Sequence, residues 1–330
     1  MTGRLEPMDF RKVQKTSDGT FFVTLPKTWV TVHHLERGSL ISFDAAKDGK
    51  LSLGLYREND RPPASIVLSP APTLEREIEE KYLLGYDIIT IESKAILQPD
   101  LRDSAKTMLR KLVGLEIVEE DAHRLVIQCL IEPSLLAPEK IIRRLHSITR
   151  AMQHDAIEAF QICDQKLAAN VVERDEEVDR LYFLLVRILR TALTDLSTSE
   201  RIHVSPVDCL DYRLLASFIE QFGDYAASIA RNSPTNSRRI PGSLSKGVQK
   251  CGSIVNTMYS LAIEAVLSRN LAVAAEATKL GQQALIEMGT LERTFEQLRS
   301  DILGKATSAI SSLKAMRGVS VDIADLAMTR

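Results

Sequence analysis

The sequence predicts a multidomain chain in which a small all-β unit and a compact α/β module precede a long all-α body. Three observations carry this. Short apolar runs broken by turn residues fill positions 10 to 55, strand and helix patterns alternate from Leu74 to about Pro133, and beyond Pro138 apolar residues step by three and four almost to the end. At 330 residues the chain also exceeds what one hydrophobic core usually serves.

In the first unit, expected over residues 8–57, a strand around Val13 leads into a Ser17-Asp18-Gly19 turn and a second strand from Phe21 to Leu25. Pro26 breaks it, and a single helical turn follows. After Leu35-Glu36-Arg37-Gly38 come a strand from Ser39 to Phe43, a turn at Lys47-Asp48-Gly49-Lys50 and a last strand from Leu51 to Leu55. A unit this small buries little of itself and leaves strand edges open, which predicts a homodimer that shares strands.

Pro62-Pro63 and Pro70-Ala71-Pro72 bracket an apolar stretch from Ser65 to Leu68 that reads as a strand. The α/β module, expected over 63–134, continues with a helix carrying Leu74, Ile78 and Tyr82 and a strand from Ile88 to Ile91. A helix from Leu101 to Leu112 and strands Leu115–Val118 and Leu125–Ile131 complete it. It holds no Gly-rich loop and no clustered nucleophile and base.

The helical body shows bundle seams at Ile141, Leu145, Ile148, Met152, then at Val178, Leu181, Leu185, Ile188. Two more run through Leu215, Phe218, Phe222, Tyr225, Ile229 and through Leu244, Val248, Cys251, Val255, Met258, Ala262. A Ser- and Thr-rich stretch from Ser197 to Pro206 and a loop from Asn232 to Gly242 punctuate it. The pattern predicts two three-helix bundles, 138–235 and 241–330, with helices near 138–168, 170–197 and 206–232, and near 243–269, 271–299 and 300–327.

Composition narrows the function. Lys plus Arg number 42 against 44 Asp plus Glu, so the chain has no overall field that gathers nucleic acid or membrane, and any DNA contact must be local. Cys129, Cys163, Cys209 and Cys251 lie far apart with no CxxC and read as reduced core thiols. The early acids Glu6 and Asp9 and the lack of long apolar runs predict a cytoplasmic protein without membrane insertion. The six histidines make no HxxxH or ExxH pair inside a convincing helix, and the body lacks the Glu-x-x-His pairs on facing helices that di-iron bundles need, which argues against an enzyme.

Local positive charge is densest at Arg11, Lys12 and Lys15, with Lys27 after the Pro26 turn and Arg37 beyond it. The run Arg11-Lys12-Val13-Gln14, then Phe22-Val23-Thr24-Leu25-Pro26-Lys27, then Leu35-Glu36-Arg37-Gly38-Ser39-Leu40-Ile41 resembles the swapped-hairpin domain of the AbrB and SpoVT family. The resemblance implies two chains interleaving hairpins into one barrel, with Gly38 as a turn glycine. It also implies phosphate-backbone contacts from Arg11, Lys12, Lys15, Lys27 and Arg37. Trp29 and His33-His34 depart from the more basic pattern of that family.

Acids concentrate in Val171-Val172-Glu173-Arg174-Asp175-Glu176-Glu177-Val178-Asp179, where Glu173 with Glu177 and Asp175 with Asp179 are each one helical turn apart. Such pairs repel unless a cation lies between them, although Arg174 and Arg180 within reach also suit a solvated helix start. Glu220 and Asp224 form a further pair, facing away from the Phe218 and Phe222 seam and so toward the surface. Both stretches resemble the PhoU family, whose members pair three-helix bundles and recur in an E-x-x-x-D pattern. The resemblance implies metal ligands Asp175, Asp179, Glu220 and Asp224, with Fe, Zn or Mg as the ion. In the second half Asp322 can be aligned, but Gly318 stands at its acidic partner position and Asn270 replaces another acid.

Taken together, the hairpin, α/β middle and helical body resemble an archaeal phosphate uptake regulator of the PhoU family. The expected function is a DNA-binding transcriptional regulator of phosphate uptake, its first unit touching DNA and its bundles sensing or docking. The alternative is an adaptor that does not bind DNA and restrains a phosphate ABC transporter, its ATPase being the partner, through protein contacts.

Overall fold

The computed structural model describes residues 10–45, 49, 51–55, 63–235 and 240–328, and the chain divides into two compact units, Met1–Pro62 and Pro63–Arg330. Several expectations fall outside the described residues: Glu6 and Asp9, the turn residues Lys47, Asp48 and Lys50, the ends of the 8–57 unit, Pro62, part of the 232–242 loop and the last two positions.

In the first unit β1 (Gln14–Lys15) pairs antiparallel with β2 (Phe21–Phe22). Gly19 takes a φ of +96° in their turn, and Thr20 O accepts from Thr16 N at 2.9 Å. The short helix α1 (Lys27–Val32) starts after Pro26. Gly38, at a φ of +98°, precedes β3 (Ile41–Ala45), which pairs antiparallel with β4 (Leu51–Leu55) so that Ile41 faces Leu55 and Phe43 faces Leu53. The elements appear in the expected order, but the second strand stops at Phe22 instead of Leu25, because its partner supplies only two residues.

Among the described residues these strands form two separate pairs and close no barrel within one chain. Among the residues from 10 to 55 whose side chains are described none is buried, and Phe10, Val13, Phe21, Val32, Leu40 and Phe43 are all exposed.

The second unit begins with a four-stranded sheet in the order β5-β6-β8-β7, from β5 (Ser65–Leu68), β6 (Ile88–Glu92), β7 (Leu115–Glu120) and β8 (Arg124–Cys129). Strands β5 and β6 run parallel, joined through α2 (Leu74–Leu83), while β8 is antiparallel to both its neighbours. Helix α3 (Pro99–Lys111) starts at Pro99, whose fixed φ suits a first helical turn. Alternate strand residues Ile89, Ile91, Leu125, Ile127 and Leu115 pack with Leu74, Ile78 and Tyr82 of α2 and Met108 of α3 into one core.

The helical body comprises α4 (Pro138–Ile162), α5 (Gln165–Thr194), a short α6 (Leu196–Arg201), α7 (Pro206–Arg231), α8 (Gly242–Ser268), α9 (Leu271–Glu292) and α10 (Ser300–Met328). Two joints recur. Cys163 ends α4 in the left-handed region (φ 60°), and Asp164 then caps α5 by accepting from Lys166 N and Leu167 N. Arg269 ends α8 in the same way (φ 54°), and Asn270 caps α9 by accepting from Ala272 N and Val273 N. The first helix therefore stops at Ile162, short of the expected 168, and Asn270 is the counterpart of a capping aspartate.

The buried residues repeat with the joints. Leu145, Thr149, Met152, Ala156 and Ile157 of α4 match Cys251, Val255, Met258, Ala262 and Ile263 of α8. Ala168, Val171 and Val178 of α5 match Ala274, Ala277 and Ala284 of α9, and Ile219, Phe222, Ala226 and Ile229 of α7 match Leu313, Met316, Ser320 and Ile323 of α10. One core runs through both repeats. All six expected seam residues of α8 are buried, whereas on α7 Ile219 and Ala226 are buried and Phe218 and Tyr225 only half so, a shift of the seam by one residue. Of the cysteines Cys129, Cys209 and Cys251 are buried, Cys163 is partly so, and all four are free thiols.

Arg187 of α5 ties the α/β module to the helices. Its guanidinium, 1 % exposed, donates to Tyr82 O at 2.8 Å, Tyr86 O at 2.7 Å and Asp87 Oδ1 at 2.8 Å. Asp87 Oδ2 in turn accepts from Ala64 N, and the Tyr82 hydroxyl donates to Val113 O at the end of α3. Among the described residues no helix is long and apolar enough to cross a membrane.

Candidate functional site

The acids Asp175 and Asp179 lie one turn apart on α5, and Glu220 and Asp224 one turn apart on α7. Gly223 lets α7 lie close against Thr149 of α4 beside these acids. A Cβ added there would lie 3.2 Å from Thr149 Cγ2, 3.5 Å from Val178 Cγ1 and 3.8 Å from Asp175 Oδ1. The 171–179 stretch sits inside α5, several residues past its cap at Asp164, so complementing a helix start does not explain its charge.

The structure gathers all four acids into one electrostatic set. Burial, then the charges of Asp224, Asp179 and Asp175, push the Glu220 carboxyl up to about 7. Burial followed by Asp175 and Asp224 pushes Asp179 up to about 6. Burial and Asp224 raise Asp175 against the opposing pull of Arg231, and burial raises Asp224, which stays exposed at the rim. Each carboxylate resists ionisation in this company, which is the electrostatic condition of a site short of positive charge.

Three cations act on the set, Arg213 of α7 by favouring the ionised form of Glu220. Arg231 at the end of α7 donates to Asp175 Oδ2 at 3.0 Å, and the charge of Lys111, the last residue of α3, favours the ionised form of Asp179. The donors are all carboxylate oxygens, the chemistry that suits a hard cation. The carboxylate oxygens stay spread: among the described residues His154, Asp155 and Glu158 of α4 are the group whose ligand atoms lie within 4.8 Å of one another. That histidine-containing group escaped the sequence reading, and its Asp155 is held by Arg174 of α5 at 2.5 Å. Glu177 likewise pairs with Arg144 of α4 at 2.6 Å, and Glu173 is exposed, so neither joins the set.

The second repeat lacks this charge. Its positions equivalent to Asp175, Asp179, Glu220 and Asp224 are Gly281, Leu285, Lys314 and Gly318. Arg317 stands where Gly223 does and donates its Nε to Gly281 O at 3.2 Å, while Lys314 pairs with Glu292 at 2.6 Å. Asp322, raised by burial and by Asp325, lies on α10 where Ser228 lies on α7 and has no counterpart in the acid set.

The residues expected to meet DNA are all exposed in the first unit. Arg11 and Lys12 precede β1, and Lys15 lies in β1 with its Nζ 5.3 Å from the centre of the Phe21 ring. Lys27 opens α1, and Arg37 lies in the turn before Gly38.

Comparison with known proteins bears on the helical body. Residues 142–233 match the family described as PhoU domain, a span holding all four acids. The phosphate-specific transport system accessory protein PhoU homolog of Zymomonas mobilis is 31 % identical over 143 residues, which cover 42 % of this chain and 57 % of that protein. The chain thus spans little more than half the length of this relative. The crystal structure of PhoU from Pseudomonas aeruginosa superposes with a TM-score of 0.51 at 18 % identity, covering 59 % of this chain and 95 % of the other. The phosphate transport system regulatory protein PhoU from Streptococcus pneumoniae gives 0.50 at 14 %, covering 58 % and 91 %. The helical body has the fold of these PhoU structures, and its first repeat carries the sequence match to the PhoU domain.

Proposed function

We propose that the chain is a PhoU-type adaptor that restrains a phosphate ABC transporter through protein contacts, working as a homodimer joined through its first unit. The observation that carries this reading is the match of residues 142–233 to the PhoU domain, on a pair of repeats with the PhoU fold. The Zymomonas relative is by its name an accessory protein of a phosphate-specific transport system. A DNA role for Arg11, Lys12, Lys15, Lys27 and Arg37 has only their exposed charge behind it, and the adaptor reading does not require it.

Within this reading Asp175, Asp179, Glu220 and Asp224 would hold a hard cation such as Mg or Fe. Zn, which favours nitrogen and sulfur donors, suits an all-oxygen set less well. A bound cation supplies the positive charge that cancels their repulsion across α5 and α7. The chain's own part is to keep Asp175, Asp179 and Glu220 half out of water, with Asp224 at the rim.

The test is to mix the full-length chain with the ATPase subunit of a phosphate transporter from the same genome. The expected result is co-migration on gel filtration and slower ATP hydrolysis by the assembled transporter. An unchanged rate with no co-migration overturns the adaptor role.

A further inference from the structure

We propose that the exposed start of α7, with Val207, Leu210, Leu214 and Arg213, is the face on which the transporter's ATPase subunit docks, and that this partner meets it with apolar side chains and a carboxylate. The assignment presupposes the adaptor role and adds its contact surface.

Over the first turns of α7 the exposed residues are Pro206, Val207, Leu210, Arg213 and Leu214. Val207 is 65 % exposed, Leu210 64 % and Leu214 46 %, and their spacing of three and four sets them on successive turns of one face. The opposite face goes to the core through Cys209, Tyr212, Leu215 and Ala216. A single apolar side chain in water needs no explanation, whereas a continuous row of them marks a contact surface.

The second repeat shows that the fold does not require this row. Helix α10 begins at Ser300 as α7 begins at Pro206, and the equivalents of Val207, Leu210, Arg213 and Leu214 are Asp301, Gly304, Thr307 and Ser308. Leu303, the exposed apolar residue of that stretch, stands where Cys209 is buried in α7. The same helix in the same packing therefore carries a largely polar outer face in one repeat and an apolar one in the other. The apolar version belongs to the repeat that matches the PhoU domain.

Charge decides the occupant. Asp208 is bonded to Arg269 at 2.9 Å and Asp211 is half-buried, so the exposed charge of the stretch is Arg213. Its guanidinium lies over the Tyr182 ring of α5 at 5.0 Å and makes no ion pair among the described residues. A second copy paired about a two-fold axis would bring the same patch, hence a second Arg213 and no exposed acid. A partner with a carboxylate beside apolar side chains satisfies both the charge and the row. An arginine stacked on a tyrosine at the edge of apolar residues is also the composition that anchors interfaces.

The test titrates the full-length chain into the ATPase subunit of a phosphate transporter from the same genome by calorimetry. Leu210→Asp with Leu214→Asp should weaken binding by about tenfold or more, with helical content and thermal midpoint kept because both side chains face water. Leu210→Ala with Leu214→Ala, which favours the helix, should weaken it in the same direction. Leu285→Asp with Ile286→Asp, exposed apolar residues of α9, should leave it unchanged. Arg213→Gln should reduce the loss of affinity that added salt causes in the parent. Equal binding by the parent and both α7 pairs overturns the docking face and leaves the adaptor role standing, as does an equal loss from the α9 pair; a parent that fails to bind overturns both. If the α7 variants bind the ATPase as the parent does but sediment differently from it, the face serves a second copy and the inference fails.

Discussion

His146 on α4 shows how a single side chain is set by what surrounds it. Its ring meets that of Tyr259 edge to face with centroids 5.0 Å apart, and its Nε2 is buried without a hydrogen-bond partner among the described residues. Burial first, then the charges of Arg150 and Arg143, depress its protonation to about 4 from the usual 6.5. The folded chain thus refuses a proton that the unfolded chain accepts. His146 contributes stability above pH 6.5 that is lost as the pH falls toward 4, about 3 kcal/mol over that window. Glu220 and Asp179, raised to about 7 and about 6, act with the opposite sign: their burden is present at high pH and relieved as the pH falls. Comparing urea midpoints of the parent chain and His146→Phe at pH 7 and pH 4.5 separates the two. The variant is expected to lose far less stability on acidification, and equal losses would contradict the assignment. At this scale the four acids were readable in the sequence because each pair sits one turn apart. Lys111, Arg231 and Gly223 were not, because nothing local ties a residue to a partner that only folding brings near.

Helices carry their periodicity in the chain, so the seam of α8 could be read residue by residue, whereas the stops could not. The turn between α4 and α5 uses Cys163 in the left-handed region where glycine would be the recognisable choice, and an expected helix overran it by six residues. On α7 the large side chains of Phe218 and Tyr225 drew the seam toward themselves, while the smaller Ala226 and the branched Ile219 fill the core. Docking of whole elements was also invisible, since its hydrogen bonds come from one guanidinium and its apolar contacts from Val113, Ile131 and Phe183, which only folding brings together. Arg187→Leu removes the donor to two carbonyls and leaves Asp87 with Ala64 N but no cation, and because Asp87 keeps part of its water the cost is at most about 3 kcal/mol, the lower end for breaking a buried pair from one side. Amide exchange should rise over residues 63–134 in that variant while α7 and α8 keep their protection. Uniform loss of protection would mean that Arg187 supports the helices instead of the docked module.

The whole molecule poses a problem that one copy does not solve. Its second unit has continuous cores, while the described part of the first has no buried side chain and leaves β1, β2, β3 and β4 in two-stranded pairs with apolar residues on show. Isolated two-stranded hairpins are at best marginal in water, and a unit of this size has too little core to offset the entropy of ordering it. A second copy of the chain offers the same apolar residues and the same open edges, and such self-complementary contacts close as symmetric dimers. The full-length chain is therefore expected to sediment as a dimer. Phe43→Asp with Leu53→Asp, which places charge on a facing pair of β3 and β4, should weaken association by about tenfold or more. The helical content and thermal midpoint of residues 63–330 should be untouched, because that unit has its own core. A full-length chain that sediments as a monomer at micromolar concentration, with residues 10–55 still protected from exchange, would mean that the hairpins find their cover elsewhere in the same molecule.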